Sequence, residues 1–119
     1  MTASIPKVIG FSDPLPEPTR HLPAAERIIS GAPHQTVQNL FESADGRFNS
    51  GIWSCEPGKW RVIFTESEFC QLLEGVIIVR SDDGSERTFR AGDAFVSPAG
   101  FTGTWDVTER AKKYYAFYE

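Results

Sequence analysis

From Gln35 to the C-terminus, apolar side chains recur in short runs at alternate positions, and nearly every run ends at a cluster of turn-forming residues. Side chains of an extended chain alternate between two faces, so this period of two reads as a series of half-buried strands. Val37 and Phe41 mark a strand over 36–43, closed by Asp45-Gly46, and a second over 48–55 ends at Glu56-Pro57-Gly58-Lys59. Trp60, Val62 and Phe64 share one face of the next strand, and Glu68, Cys70 and Leu72 share a face of the one after. Residues 76–80 lead through the hairpin signal Asp82-Asp83-Gly84-Ser85 into 87–90. Gly92-Asp93 and Pro98-Ala99-Gly100 bracket a strand over 94–97, and 103–108 and 112–118 complete a set of eight or nine. Short strands punctuated at this spacing predict an all-β antiparallel sandwich or barrel over residues 34–119.

The first 33 residues follow a different rule. Six of the eight prolines lie there, at Pro6, Pro14, Pro16, Pro18, Pro23 and Pro33. Proline lacks the N–H a strand ladder needs, so the segment is expected to run as an extended arm that either packs on a barrel, its own or that of a second subunit, or stays free. Within it, residues 23–30 carry a short helix pattern: proline in the first turn, Ala24-Ala25-Glu26-Arg27 in the body and Gly31 as the stop.

Composition narrows the class. A chain of 119 residues supports one core. Its aromatic share of 13% suits a small barrel filled by rings. A net charge of −4 argues against a nucleic-acid partner, which calls for clustered Lys and Arg. No apolar run approaches the roughly 20 residues that cross a bilayer, so no membrane association and a cytoplasmic location are expected. The two cysteines, Cys55 and Cys70, are too few for a disulfide framework and are read as reduced packing residues.

Residues 68–75 (Glu-Phe-Cys-Gln-Leu-Leu-Glu-Gly) and 92–103 (Gly-Asp-Ala-Phe-Val-Ser-Pro-Ala-Gly-Phe-Thr-Gly) carry a further signal. Together they resemble the two signature segments of the cupins, jelly-roll proteins that usually hold a metal inside the barrel. In the cupin pattern Glu68 and Gly75 keep their interval, and a histidine pair is due at Arg61 and Ile63 or at Val62 and Phe64. The second segment matches through Gly92, Pro98 and Gly100, and its histidine position is Gly103. Glu68 is thus the only retained ligand position. The two histidines, His21 and His34, both precede the barrel. No metal or other cofactor is expected, because a catalytic centre normally needs about three protein ligands. Gly51-Ile-Trp53, Glu68-Phe69-Cys70, Gly92-Asp93-Ala94-Phe95, Gly103-Thr-Trp105 and Lys113-Tyr114-Tyr115 narrow the resemblance to the ureidoglycine-aminohydrolase-like subgroup, which includes ethanolamine-utilisation cupins. That resemblance implies a compact homodimer. The aminohydrolase itself uses a histidine-bearing manganese site, which these residues do not repeat.

The candidate site follows from strand parity. If Gly103 points inward, Trp105 and Val107 share its face, and the indole either plugs the space of the missing imidazole or walls a pocket reaching Glu68. A carboxylate inside an apolar barrel needs a partner, and Lys113, on the face of Tyr115 and Phe117, is the expected one. Glu68, Lys113 and Tyr115 form the candidate acid–base cluster, or else a closed structural network. Trp53, Trp60, Arg61, Phe101 and Trp105 are the candidate ligand-binding residues. Arg61 offers a fork that suits a carboxylate. Three functions remain open: a small-molecule-binding cupin, an enzyme acting on a small carboxylate, amide or amino compound, and a dimeric structural module.

Overall fold

A computed structural model describes residues 4–119; residues 1–3 of the expected arm lie outside it. Nine strands and one 3-10 turn succeed one another: β1 (Thr19–His21), the turn (Ala25–Arg27), β2 (Ile28–Gly31), β3 (Gln35–Glu42), β4 (Phe48–Cys55), β5 (Gly58–Ile63), β6 (Ser67–Ser81), β7 (Glu86–Arg90), β8 (Ala94–Ser97) and β9 (Thr102–Tyr118). All pairings are antiparallel, and the sheet curls into a jelly-roll barrel. Among the described residues no helix is long and apolar enough to cross a membrane.

The long strands β6 and β9 form the spine. β9 is flanked on one edge by β4 along 111–118 and by β5 along 102–107, and on the other by β6. β6 carries β8 on its first half and β7 on its second. Two strands expected from the sequence, 68–72 and 76–80, are one continuous strand, because Gly75 bulges the ladder instead of ending it. Its φ of 89° is open to glycine and strained for other residues. A Cβ there would also collide with the Arg110 carbonyl and Ala111 Cα. The bulge reverses parity: Glu68, Cys70 and Leu72 face inward before it, and Ile77 after it. The segments 103–108 and 112–118 likewise fuse into β9.

The N-terminal arm departs from expectation in two ways. Residues 23–30 do not form a helix; one 3-10 turn spans Ala25–Arg27, no side chain caps it, and the chain then enters β2. The β-branched pair Ile28-Ile29 favours the extended chain, and so short a helix has little cooperative support. The arm is also partly woven into the barrel: β1 pairs β3 and β2 pairs β5, extending both ends of the sheet. Upstream, Gln38 Nε2 donates to the Pro16 carbonyl at 3.1 Å, and Phe11 packs edge-on to Tyr114 at 4.9 Å.

The core runs along the inner face, from Leu72, Ile77 and Val107 to three tryptophans. Trp105 is its hub, with ring centroids 6.0 Å from Trp53, 6.2 Å from Trp60, 5.6 Å from Phe64 and 6.0 Å from Phe95. At 2% exposure it sits at the centre of the barrel interior, and its ring forms part of the wall of a cavity there. A Cβ at the neighbouring Gly103 would strike the carbonyl of Arg80 on the adjoining strand and crowd the Phe101 ring, so this glycine admits both the β6 backbone and a ring.

Candidate functional site

Strand alternation turns Lys113, Tyr115 and Phe117 of β9 inward opposite Leu72, Cys70 and Glu68 of β6. Lys113 Nζ lies 2.6 Å from Glu68 Oε2 and donates to Cys70 Sγ at 3.2 Å. The Cys70 thiol donates in turn to Glu68 Oε2 at 3.2 Å. The ammonium also sits 4.5 Å from the ring centre of Trp53 and 4.3 Å from that of Trp105. A cation on an indole face is attracted by the ring quadrupole, so two faces and one carboxylate enclose it. Burial is the largest influence on the Lys113 charge and works against it, but the Glu68 carboxylate and the Cys70 sulfur together outweigh it and raise the lysine above its ordinary value.

The two partners differ in access. Side-chain exposure is 2% for Lys113 and 12% for Glu68. Glu68 lines a cavity of about 250 Å³ at the barrel mouth, together with Trp53, Trp60 and Trp105, whereas Lys113 lies behind that wall. Lys113 is therefore the buried counter-charge of Glu68 and does not line the cavity. Among the described residues, Glu68 Oε1 makes no hydrogen bond to protein and is the accessible end of the pair.

Tyr115 lines the mouth beside Glu68 but makes no hydrogen bond to the pair. Its hydroxyl donates to Asn39 Oδ1 at 2.7 Å, and Asn39 is held by Asn49 at 2.9 Å. Burial, with the nearby Glu68 charge, pushes the phenol up to about 12, so it stays protonated at neutral pH. Arg61 lines the cavity, but both ends of its fork bond Asp82 at 2.6 Å. Arg61 and Thr102 together draw the Asp82 carboxyl down to about 2. Phe101 is excluded from the mouth: it packs edge-on behind Phe64 at 6.2 Å and lines a separate cavity. Trp53, Trp60 and Trp105 thus meet at the mouth; Phe101 does not.

Two mouth residues escape a reading by parity. Gln35 Oε1 accepts from Trp53 Nε1 at 2.9 Å and contacts His21 Nε2 at 3.1 Å. Because the indole N–H only donates, the Gln35 atom is the oxygen, and His21 must donate to it from Nε2. His21 comes from β1 of the arm and lines the mouth with Glu68. No motif announced this, since β1 and β6 lie far apart along the chain and meet only through the curl of the sheet. Cys70 is likewise more than packing, because its sulfur bridges the ion pair. Both cysteines are free thiols, and burial pushes each up to about 12.

The donor set does not fit a conventional three-ligand metal centre. Val62 and Phe64 carry no donor, Ile63 is half exposed, Arg61 is engaged by Asp82, and Gly103 has no side chain. Glu68 Oε2 is held by an ammonium. Among the described residues no group of three His, Cys, Asp or Glu side chains could hold an ion.

A curled antiparallel jelly roll with a polar cluster set among inward-facing core residues is the architecture of the cupins. Residues 42–115 match the EutQ-like cupin domain, and the chain belongs to that family. A protein of unknown function from Pseudomonas syringae, assigned to the DUF861 family, is similar at 25% identity and a TM-score of 0.80; the alignment covers 92% of this chain and 46% of that one. The chain thus spans about half the length of that relative. A Thermotoga maritima DUF861 protein shares 31% identity over 54% of this chain and 73% of its own, at a TM-score of 0.53. A putative ethanolamine utilization protein Q from Salmonella typhimurium shares the fold at a TM-score of 0.66, with 15% identity, 86% of this chain and 95% of that one. No curated protein matches the chain.

Proposed function

We propose that this cupin binds a small organic molecule at the barrel mouth and does so without a metal at the usual position, Lys113 supplying the positive charge that a metal would place beside Glu68. The observation that carries the reading is the Lys113–Glu68 contact of 2.6 Å, closed by Cys70 and two indole faces. A site with its own fixed counter-charge has a carboxylate already oriented, with one oxygen and a wall of tryptophans left for a ligand. Two buried free thiols suit the cytoplasmic setting that the reading implies.

The test is elemental analysis of protein purified without a histidine tag or added metal, paired with intrinsic tryptophan fluorescence during titration with small amines, amides and carboxylates. Saturable quenching in metal-free protein, weakened in Trp60→Phe and Glu68→Gln, is the expected result. Stoichiometric metal that disappears in Glu68→Gln overturns the reading.

A second reading, acid–base catalysis at Glu68 on a small carboxylate, amide or amino compound, is favoured by its partner-free Oε1. In this reading Lys113 holds the carboxylate in place and touches no substrate, and the Tyr115 hydroxyl is engaged by Asn39. Turnover that disappears in Glu68→Gln while ligand binding persists separates catalysis from binding. The ureidoglycine aminohydrolase activity finds no support in this donor set. A homodimer is the proposed assembly, across the outer face where Phe69 and Val96 pair at 46% and 59% exposure.

A further inference from the structure

A second cavity, of about 400 Å³, opens between β7 and β8 and shares no lining residue with the mouth. β7 pairs with β6 along 76–80 and β8 along 68–71, so the two lie end to end on one edge of β6, on either side of the Gly75 bulge. Among the described residues no ladder joins β7 to β8. An aromatic partition separates the two cavities, with Phe64 and Trp105 on one side and Phe101 and Phe95 on the other.

The lining is mostly carbon. Phe89 and Phe95 stack at 4.1 Å with planes 14° apart, and Phe101 and Val79 extend the apolar wall. Two polar side chains interrupt it. Arg87 lies over Phe89 at 5.3 Å and, unlike Arg61, Arg80 and Arg110, has no carboxylate partner among the described residues. Ser97, at 5% exposure, has a buried hydroxyl with no hydrogen-bond partner. A buried hydroxyl left unpaired costs stability, and no bond holds it in its present rotamer. A stacked aromatic wall, a free guanidinium and an orphaned hydroxyl are together the complement of an aromatic acid.

We infer that this second cavity binds a small aromatic carboxylate with a polar ring substituent. The ring enters among Phe89, Phe95 and Phe101, the carboxylate meets the Arg87 guanidinium, and the ring substituent bonds Ser97 Oγ. The guanidinium fork matches a carboxylate in geometry as well as charge. This cavity shares no lining residue with the mouth, although Ser97 faces Glu68 across the β6–β8 ladder.

The experiment titrates the full chain with para-hydroxyphenylpropionate, followed by backbone amide NMR shifts, with the corresponding neutral amide as control. Saturable shifts centred on Arg87, Phe89, Phe95 and Ser97, with those of His21 and Trp60 still, are the expected result. Arg87→Gln and the neutral amide each weaken binding about tenfold, as loss of a charge-assisted contact does. Ser97→Ala weakens it severalfold without lowering the melting temperature, because the hydroxyl makes no bond in the free protein. The inference is overturned by shifts centred on the mouth, by no saturation, or by equal affinity in Arg87→Gln or Ser97→Ala.

Discussion

Removing the charge of Glu68 tests how the barrel tolerates a lysine at its centre. In Glu68→Gln the Lys113 ammonium loses the carboxylate at 2.6 Å and keeps Cys70 Sγ and two indole faces. Stripping one partner from a buried pair costs about 3–5 kcal/mol, a large share of the roughly 5–15 kcal/mol that holds a domain folded. The 12% exposure of Glu68 lets water screen the pair in part, which places the expected loss near the lower figure, about 3 kcal/mol, or a melting temperature lower by roughly 10 °C. Lys113→Met costs less, about 1–2 kcal/mol, because the stranded carboxylate lines a cavity and can hydrate. The double variant returns to within about 1 kcal/mol of the parent, since the buried charge and its counter-charge leave together. With its carboxylate gone, burial depresses the Lys113 pKa below the unfolded value. The Glu68→Gln deficit is therefore largest near neutral pH and shrinks as pH approaches about 10. Urea unfolding followed by tryptophan fluorescence at several pH values measures all four proteins. A deficit under about 1 kcal/mol at neutral pH, or a double variant as unstable as the sum of the singles, refutes the account of a mutually dependent pair.

Three further outcomes follow from the same geometry. Cys55 and Cys70 titrate near 12 when folded and near 8.5–9 when unfolded; a raised pKa means stability that is complete below the unfolded value and lost as pH climbs toward the folded one. Alkaline unfolding should therefore set in above about pH 9, with a slope of about 1.4 kcal/mol per pH unit for each thiol, and a Cys55→Ala/Cys70→Ala protein should show a flatter profile by circular dichroism. Gly103→Ala should cost at least about 2 kcal/mol in denaturant unfolding, since its Cβ strikes the Arg80 carbonyl; an unchanged midpoint shows that β6 can move away. Light scattering should report a dimer that Phe69→Glu converts to monomer with its circular dichroism intact, and a monomeric parent removes the outer face as the interface.

Alternation along the chain identified the inner faces within each strand: Trp60 with Val62, Cys70 with Leu72, and Gly103, Trp105, Val107, Lys113 and Tyr115 along β9. The Glu68–Lys113 meeting was legible because both lie on inward faces and a buried carboxylate needs a cation. The bulge at Gly75 was not, because a glycine that breaks a strand and one that bends it look alike in sequence. The destination of the arm was equally hidden. Proline argued for extension, but only the free edges of β3 and β5 supply the hydrogen-bonding groups that recruit β1 and β2.

Local chemistry determines what this chain carries along its length: short strands, turn glycines, a barrel-filling set of rings and a mouth without the usual histidines. Tertiary structure alone decided which groups remain available to a ligand. Arg61 is engaged by Asp82, Tyr115 by Asn39, and Phe101 is set behind Phe64 in a second cavity, while His21 is brought from the arm to the mouth. The physical reason is that period-two patterning specifies a face but not a partner. Partners are selected by ladder register and by the curl of the sheet, which bring together residues far apart in the chain.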